Sequence, residues 1–148
     1  MEKIVVATNK KAFYEYNIFE KFEAGIQLKG SEVKSIREGK ASLKQSYVLI
    51  RKGEAWLRGS HIASYSHTGY EGHDPVRNRK LLLHKKEIQK INSKLAEKGL
   101  TAIPTRMYIK SGFIKIEFGL AKGKKLYDKR ATKKKRDVER DIKRAMKV

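Results

Sequence analysis

Two stretches of the chain alternate apolar and polar residues with the period of a β-strand, and each pair of runs meets at a glycine-bearing turn. Ser46-Tyr-Val-Leu-Ile-Arg51 leads into Lys52-Gly53 and then Glu54-Ala-Trp-Leu-Arg-Gly59, so the pattern predicts a hairpin with a two-residue turn. Downstream, Thr105, Met107 and Ile109 alternate with Arg106, Tyr108 and Lys110. Ile114, Ile116 and Phe118 then alternate with Lys115 and Glu117, and Ser111-Gly112 makes the turn. Such alternation buries one face of each strand and leaves the other, basic and partly aromatic, open to nucleic acid or to water alone. Three helical pieces interrupt the strands. Ser31 can cap a short helix carrying Val33 and Ile36, with Gly39 as its left-handed stop. Ile88, Ile91 and Leu95 fall at i, i+3 and i+7 before Gly99, the pattern of a longer amphipathic helix. Thr8 or Asn9 can cap a third helix around Lys10 to Tyr14.

These elements predict a mainly β (α+β) fold. Its expected form is a small closed or nearly closed antiparallel β-barrel, the oligonucleotide-binding type being one candidate, with about three peripheral helices and a basic C-terminal tail. The length of 148 residues suits one core, and the absence of Cys excludes disulfides and thiolate metal sites. The longest apolar runs, Ile4 to Ala7 and Leu81 to Leu83, are far short of the roughly 20 residues of a membrane span. The N-terminal apolar run is likewise too short for a signal peptide, so a soluble, cytoplasmic protein is expected. A basic membrane-surface protein fits less well, because the cations are not laid along one amphipathic helix.

Charge changes the picture more than composition does. Lys and Arg number 36 against 16 Asp and Glu, a formal charge of +20. A merely soluble domain needs a net charge of about 2 to 8, so the excess points to a polyanionic partner. The distribution is uneven: residues 121–148 hold 13 Lys/Arg and 4 Asp/Glu. The composition shift at Gly119-Leu-Ala-Lys-Gly123 divides a folded body, 1–120, from a basic tail, 121–148. In the tail Val138, Ile142 and Met146 recur at i, i+4 and i+8, and Lys133 with Asp137 and Glu139 with Lys143 are spaced as ion pairs on a helix. Alone, such a helix lacks a partner for its stripe, so the tail is expected to be disordered when free and helical on its target. A basic arm that never folds, or a nuclear signal at Lys133-Lys134-Lys135-Arg136, has the same composition.

Catalytic chemistry is poorly represented. His61, His67, His73 and His84 have no recurrent metal spacing, and His67, His73 and Asp74 are better read as surface residues of a turn. Gly119-Leu-Ala-Lys-Gly-Lys-Lys125 lacks the spacing and hydroxyl of a phosphate-binding loop. No dense acidic cluster exists to hold Mg²⁺. Neither an enzyme nor a cofactor is expected. Cations beside aromatic groups instead suit RNA, since phosphates supply affinity and stacking supplies register. Arg77-Asn-Arg79-Lys80, in the loop opened by Asp74-Pro75, and Lys124-Lys125-Leu126-Tyr127-Asp128-Lys129-Arg130 are the candidate clusters, each of which can equally be a solvated charge run.

Five motifs in order resemble one known family across the whole chain. They are Asn9-Lys-Lys-Ala12, Phe22-Glu-Ala-Gly25, Gly30-Ser-Glu-Val-Lys-Ser-Ile-Arg-Glu-Gly-Lys40, Asp74-Pro-Val-Arg-Asn-Arg-Lys-Leu-Leu-Leu83 and Gly119-Leu-Ala-Lys-Gly-Lys-Lys-Leu-Tyr-Asp-Lys-Arg130. The family is small protein B (SmpB), the bacterial partner of transfer-messenger RNA (tmRNA, or SsrA RNA). The resemblance implies an oligonucleotide-binding-type barrel and an adaptor that catalyses nothing. It binds the tRNA-like domain of tmRNA and supports its alanylation by alanyl-tRNA synthetase. With elongation factor Tu it brings the RNA to 70S ribosomes stalled on messages without a stop codon.

By resemblance, Glu23, Leu82 and Lys115 bind the RNA. Lys115 would meet a phosphate, Glu23 would accept hydrogen bonds from base or ribose or orient a neighbouring cation, and Leu82 would pack under the RNA-facing loop or simply in the core. Asn9, Lys11, Lys34 and Arg37 are expected near the same surface. Gly123, Lys124, Lys125, Asp128, Lys129 and Arg130 would serve the 16S rRNA decoding centre, with Tyr127 standing where a His is common and able to stack on a base. Beyond Thr132 the tail, including Lys133, Lys134, Lys135, Arg136, Val138, Ile142 and Met146, would occupy the empty mRNA channel. A ribosomal protein and an RNA-processing enzyme are the competing readings.

Overall fold

At the first predicted turn Lys52 and Gly53 both take positive φ, 52° and 74°, the mirror-image geometry that matches the twist of a hairpin. The turn joins β4 (Tyr47–Arg51) to β5 (Glu54–Arg58), with Arg51 opposite Glu54. Ser111 and Gly112, at 53° and 82°, repeat it between β8 (Thr101–Lys110) and β9 (Phe113–Gly123), with Lys110 opposite Phe113. The computed structural model of the protein describes residues 3–64 and 73–124. Its other elements are β1 (Lys3–Thr8), α1 (Lys10–Glu15), β2 (Tyr16–Ile26), α2 (Gly30–Arg37), β3 (Ala41–Ser42), β6 (His61–Ile62), β7 (Arg79–Leu82) and α3 (Lys85–Lys98).

The fold is mainly β. Seven strands form one antiparallel sheet in the order β1-β8-β4-β5-β7-β2-β9, β8 also pairs with β9, and β3 and β6 form a separate pair. The core gathers Leu57, Leu81, Met107, Ile116 and Phe118 from the sheet with Ile36 of α2 and Ile91 of α3, all at most 1% exposed. Each side chain of this kind contributes about 1.5–3 kcal/mol through burial. Phe22 stacks on Phe118 with ring centroids 5.6 Å apart. A smaller cluster of Ala12, Ile103 and Ala121 lies beneath α1.

Helix boundaries follow the sequence with one exception. Asn9 caps α1 by accepting from the Ala12 amide at 3.3 Å, and Gly39 and Gly99 adopt φ of 76° and 60° behind α2 and α3. Ser31 does not cap α2. That helix begins at Gly30, and the Lys29 amide is satisfied by the Glu32 carboxylate at 2.8 Å. Ser31 is thereby freed to bond His73 Nδ1 at 2.8 Å. His73 is correspondingly no surface residue: it is 6% exposed, and its Nε2 lies 2.8 Å from the Ile62 carbonyl. Because a carbonyl only accepts, Nε2 carries a proton and the ring ties the 73–79 loop to β6 and α2. His67 lies outside the described residues.

The body also continues past Leu120. Ala121 is fully buried and pairs with Ile18 and Thr101, and Gly123 still pairs with Tyr16. The composition shift marks where charge changes; the hydrogen-bonded ladder runs three residues further.

Candidate nucleic-acid interface

One row of paired residues crosses three strands: Leu82 of β7, Gly25 of β2 and Lys115 of β9. Paired residues share a face, and Glu23 lies on that face two positions from Gly25. Gly25 has no side chain to fill the row; a Cβ there would come within 3.3 Å of Leu82 Cβ. The result is an open groove of about 540 Å³ in which Glu23, Leu82 and Lys115 converge with Lys80 and His84. Leu82 is 53% exposed, so the core reading of this residue is corrected: it presents apolar surface to solvent.

The groove's charges are arranged, not scattered. Glu23 accepts from the Tyr108 hydroxyl and from Lys110 Nζ at 3.4 Å. The Tyr108 bond, aided by Lys110, holds its carboxyl below the ordinary carboxylate range against the opposing effect of burial. Glu23 is therefore ionised at neutral pH and fixed in direction, an acceptor for ribose or base donors. Burial first, and the Glu23 bond second, push the Tyr108 hydroxyl well above its usual range, so it stays a donor. This overturns the simple alternation of β8. Tyr108 is 3% exposed, covered by Glu23 and by Lys3, whose Nζ lies 4.7 Å from the ring centroid. By contrast Lys115 Nζ sits 5.9 Å from the Phe113 ring, and no carboxylate among the described residues lies within 4.0 Å of it. It is a cation available to a phosphate. Among the described residues no three His, Asp or Glu side chains converge as metal ligands, and no helix is long and apolar enough to cross a membrane.

The SmpB protein family model matches residues 6–148. The chain belongs to the SmpB family. The SsrA-binding protein of Sulfurihydrogenibium sp. is 56% identical over 147 residues, covering 99% of this chain and 97% of the relative. Those of Geotalea uraniireducens and Geobacter sulfurreducens are 54% and 53% identical over 99% of this chain, and 97% and 95% of theirs. A solved chain described under "tmRNA-SmpB: a journey to the center of the bacterial ribosome" superposes with a TM-score of 0.68 at 44% identity, covering 80% of this chain and 84% of that one.

The other residues singled out by resemblance to SmpB do not gather in this groove. Asn9 is 6% exposed and both ends of its amide are engaged: Nδ2 donates to the Pro104 carbonyl at 2.9 Å while Oδ1 caps α1. It is a structural joint between β1 and β8. Lys11 is exposed, pairs with Glu15 at 3.6 Å and lines a separate cleft beside Lys44 and Ser42. Lys34 and Arg37 are exposed on α2. Lys124 is tied to the body, donating its amide to Glu15 O at 2.8 Å and its Nζ to Phe13 O at 3.1 Å. Lys125, Tyr127, Asp128, Lys129, Arg130, Lys133, Lys134, Lys135, Arg136, Val138, Ile142 and Met146 lie outside the described residues.

Arg77 and Arg79 require a correction. Arg79 is fully buried, and its guanidinium binds the equally buried Glu32, the Ser60 carbonyl and hydroxyl at 3.2 and 3.0 Å, and the Pro75 carbonyl at 3.1 Å. Arg77 reaches the same carboxylate through Nε at 3.1 Å. Arg79 is spent on folding and is closed to phosphate; with two guanidiniums on one carboxylate, the remaining positive charge sits with the partly exposed Arg77. Gly25, as the gap in the row, and the role of Tyr108 and Lys110 in holding Glu23 from behind are what sequence reasoning missed; the place of Tyr108 between Arg106 and Lys110 on a basic strand face was the available signal.

Proposed function

We propose that the protein is the SsrA RNA-binding adaptor of ribosome rescue, capturing the tRNA-like part of tmRNA with the groove of Glu23, Leu82 and Lys115. The convergence of these three residues, far apart in sequence, carries the reading. Lys115 supplies a phosphate contact, Glu23 an oriented acceptor for a 2′-hydroxyl or base amine, and Leu82 an apolar surface for a sugar or base. Kinship with SsrA-binding proteins over nearly the full chain supports the choice of RNA. The ladder that runs β8-β4-β5-β7-β2-β9 and returns to β8 supports a closed barrel of the oligonucleotide-binding type. In this reading the basic segment that follows the body acts as a second unit on the ribosome: Lys125 and Tyr127 to Arg130 at the decoding centre, the stretch from Lys133 onward in the vacant mRNA channel. The protein positions RNA and catalyses nothing, working in the cytoplasm.

The test is binding of transcribed SsrA RNA across a range of salt. Lys115→Ala should bind more weakly, and the slope of log affinity against log salt should shrink by about 0.7–0.9 for the one phosphate no longer neutralised. An unchanged slope removes Lys115 from the interface. If the wild-type chain binds SsrA RNA no better than an unrelated structured RNA of equal length, the function itself is wrong.

A further inference from the structure

Trp56, the only tryptophan of the chain, stands on the outward face of β5, with Leu49 of β4 and Lys80 of β7 as its cross-strand neighbours. Ala55 and Leu57 on either side are fully buried, so the period of the strand turns Trp56 away from the core. Among the described residues no ring stacks on the indole and no acceptor takes its N–H. It lines a shallow cleft of about 260 Å³ together with Arg51, Lys52, Arg58 and Asn78. Enclosed drug-sized sites run to about 300–1,000 Å³, so this cleft suits a single planar group lying on the surface.

Charge selects the kind of group. Arg51, Lys52 and Arg58 are exposed, and no carboxylate among the described residues lies within 4.0 Å of any of them. The acid at the cleft, Glu54, is engaged by Lys80 at 3.3 Å. An amphipathic ring surrounded by uncommitted cations is the arrangement that holds an unpaired nucleotide: the base stacks on the aromatic face and its phosphates meet the cations. An acidic peptide would use the cations and leave the flat ring without a role. Glu54 also lines the groove of Glu23, Leu82 and Lys115, so the two surfaces are continuous.

We propose that this cleft is a second RNA site, in which an unpaired base stacks on Trp56, the flanking phosphates bind Arg51 and Arg58, and the Asn78 amide meets an edge of the base. This rests on the RNA-binding reading above, and it adds a stacking platform to an interface otherwise built from a cation, an acceptor and a leucine. The nucleotide can belong to the tRNA-like RNA or to ribosomal RNA; both present the same chemistry to the cleft.

The single tryptophan makes the test direct. The full-length protein is titrated with SsrA RNA while Trp56 emission and its quenching by acrylamide are followed. Affinities of Trp56→Leu, Trp56→Phe and the Arg51→Ala/Arg58→Ala pair are then compared with wild type, for SsrA RNA and, separately, for small ribosomal subunits. Stacking on the tRNA-like RNA should lower emission, protect the indole from acrylamide and cost Trp56→Leu about 5–150-fold in affinity, most of which Trp56→Phe retains. The arginine pair should lower the salt slope by about 0.7–0.9 for each phosphate left without its cation. If emission stays constant with SsrA RNA but the same variants lose subunit binding, the base belongs to ribosomal RNA and the site stands. Should Trp56→Leu fail to fold, Trp56→Phe and the surface arginines decide. Wild-type affinity of all variants in both arms, with wild type itself binding SsrA RNA, would overturn the site and leave the adaptor function intact; absence of SsrA RNA binding by wild type would instead strike the function.

Discussion

Replacing Glu32 by Gln probes the joint that sets the 73–79 loop ahead of β7 and hence the position of Leu82. The Glu32 carboxylate is fully buried and accepts from the Lys29 amide at 2.8 Å, from Arg77 Nε at 3.1 Å and Nη2, and from Arg79 Nε. Among the described residues it is the only carboxylate within 4.0 Å of the buried Arg79 guanidinium. Gln keeps the shape but removes the countercharge and turns an NH₂ group toward donors. Breaking a buried pair from one side costs about 3–5 kcal/mol, because the remaining ion is stranded. Burial lowers the pKa of Arg79 and Glu32 opposes this only in part, yet a guanidinium does not discharge at neutral pH. The Arg77 side chain is 25% exposed and can turn to water, which sets the expectation at the lower end, about 3 kcal/mol. For a chain of this size that is a fall of about 6–12 °C in Tm, measured by circular dichroism. A destabilisation below about 1 kcal/mol would refute the reasoning. The pH dependence gives a second arm. Burial alone would raise the Glu32 carboxyl, but hydrogen bonds from Arg77, the Lys29 amide and Arg79 outweigh it and hold the pKa below the ordinary range. A group depressed in the folded state contributes stability above its unfolded value, about 4.3, and loses it as pH falls through the folded value. The gap between wild type and Glu32→Gln should therefore narrow below about pH 4.3; a constant gap would assign the stabilisation elsewhere.

Tyr108→Phe removes the donor that orients Glu23: the Glu23 carboxyl should move up toward the ordinary range in an NMR titration, with a stability decrease of about 1 kcal/mol, since the carboxylate is 36% exposed and water replaces part of the bond. Gly59→Ala forces a Cβ to within 2.8 Å of the Gln45 carbonyl at φ of 80° and should cost about 1–3 kcal/mol in urea unfolding, whereas Gly30→Ala, with nothing within 4 Å, should be neutral or better. A chain ending at Leu120 should be less stable than one ending at Lys124 by about 2–4 kcal/mol, because it lacks buried Ala121, the last pairs with β2 and the Lys124 bonds to α1; equal midpoints would return Ala121 to Gly123 to the tail.

Those predictions depend on features that differ in how far the sequence reveals them. The two hairpin turns, the Asn9 cap, the glycine stops of α2 and α3 and the core-facing side of α3 at Ile91 were legible, because each is settled by pattern within a few residues. The groove was legible only through the family motifs. Neither periodicity nor charge tells that Glu23, Leu82 and Lys115 share one face, since that requires the register of β2 with β7 and β9. Ser31, His73 and Tyr108 were misread for one reason: each is satisfied by a partner 42 to 85 positions away, beyond the reach of any local pattern.

By itself the sequence determined the two hairpins, the three helices, the family and an excess of 20 positive charges, all of which follow from local pattern, motif order and counting. Which cations remain available was decided by the tertiary structure. Arg79 is neutralised inside the protein because burying a guanidinium demands a countercharge, and Glu32 reaches it only when α2 packs against the loop before β7. Lys115, Arg51 and Arg58 keep their charge for a partner because the same fold brings no carboxylate of the described residues to them. Net charge is a property of composition; an interface is the part of that charge which folding leaves unpaired.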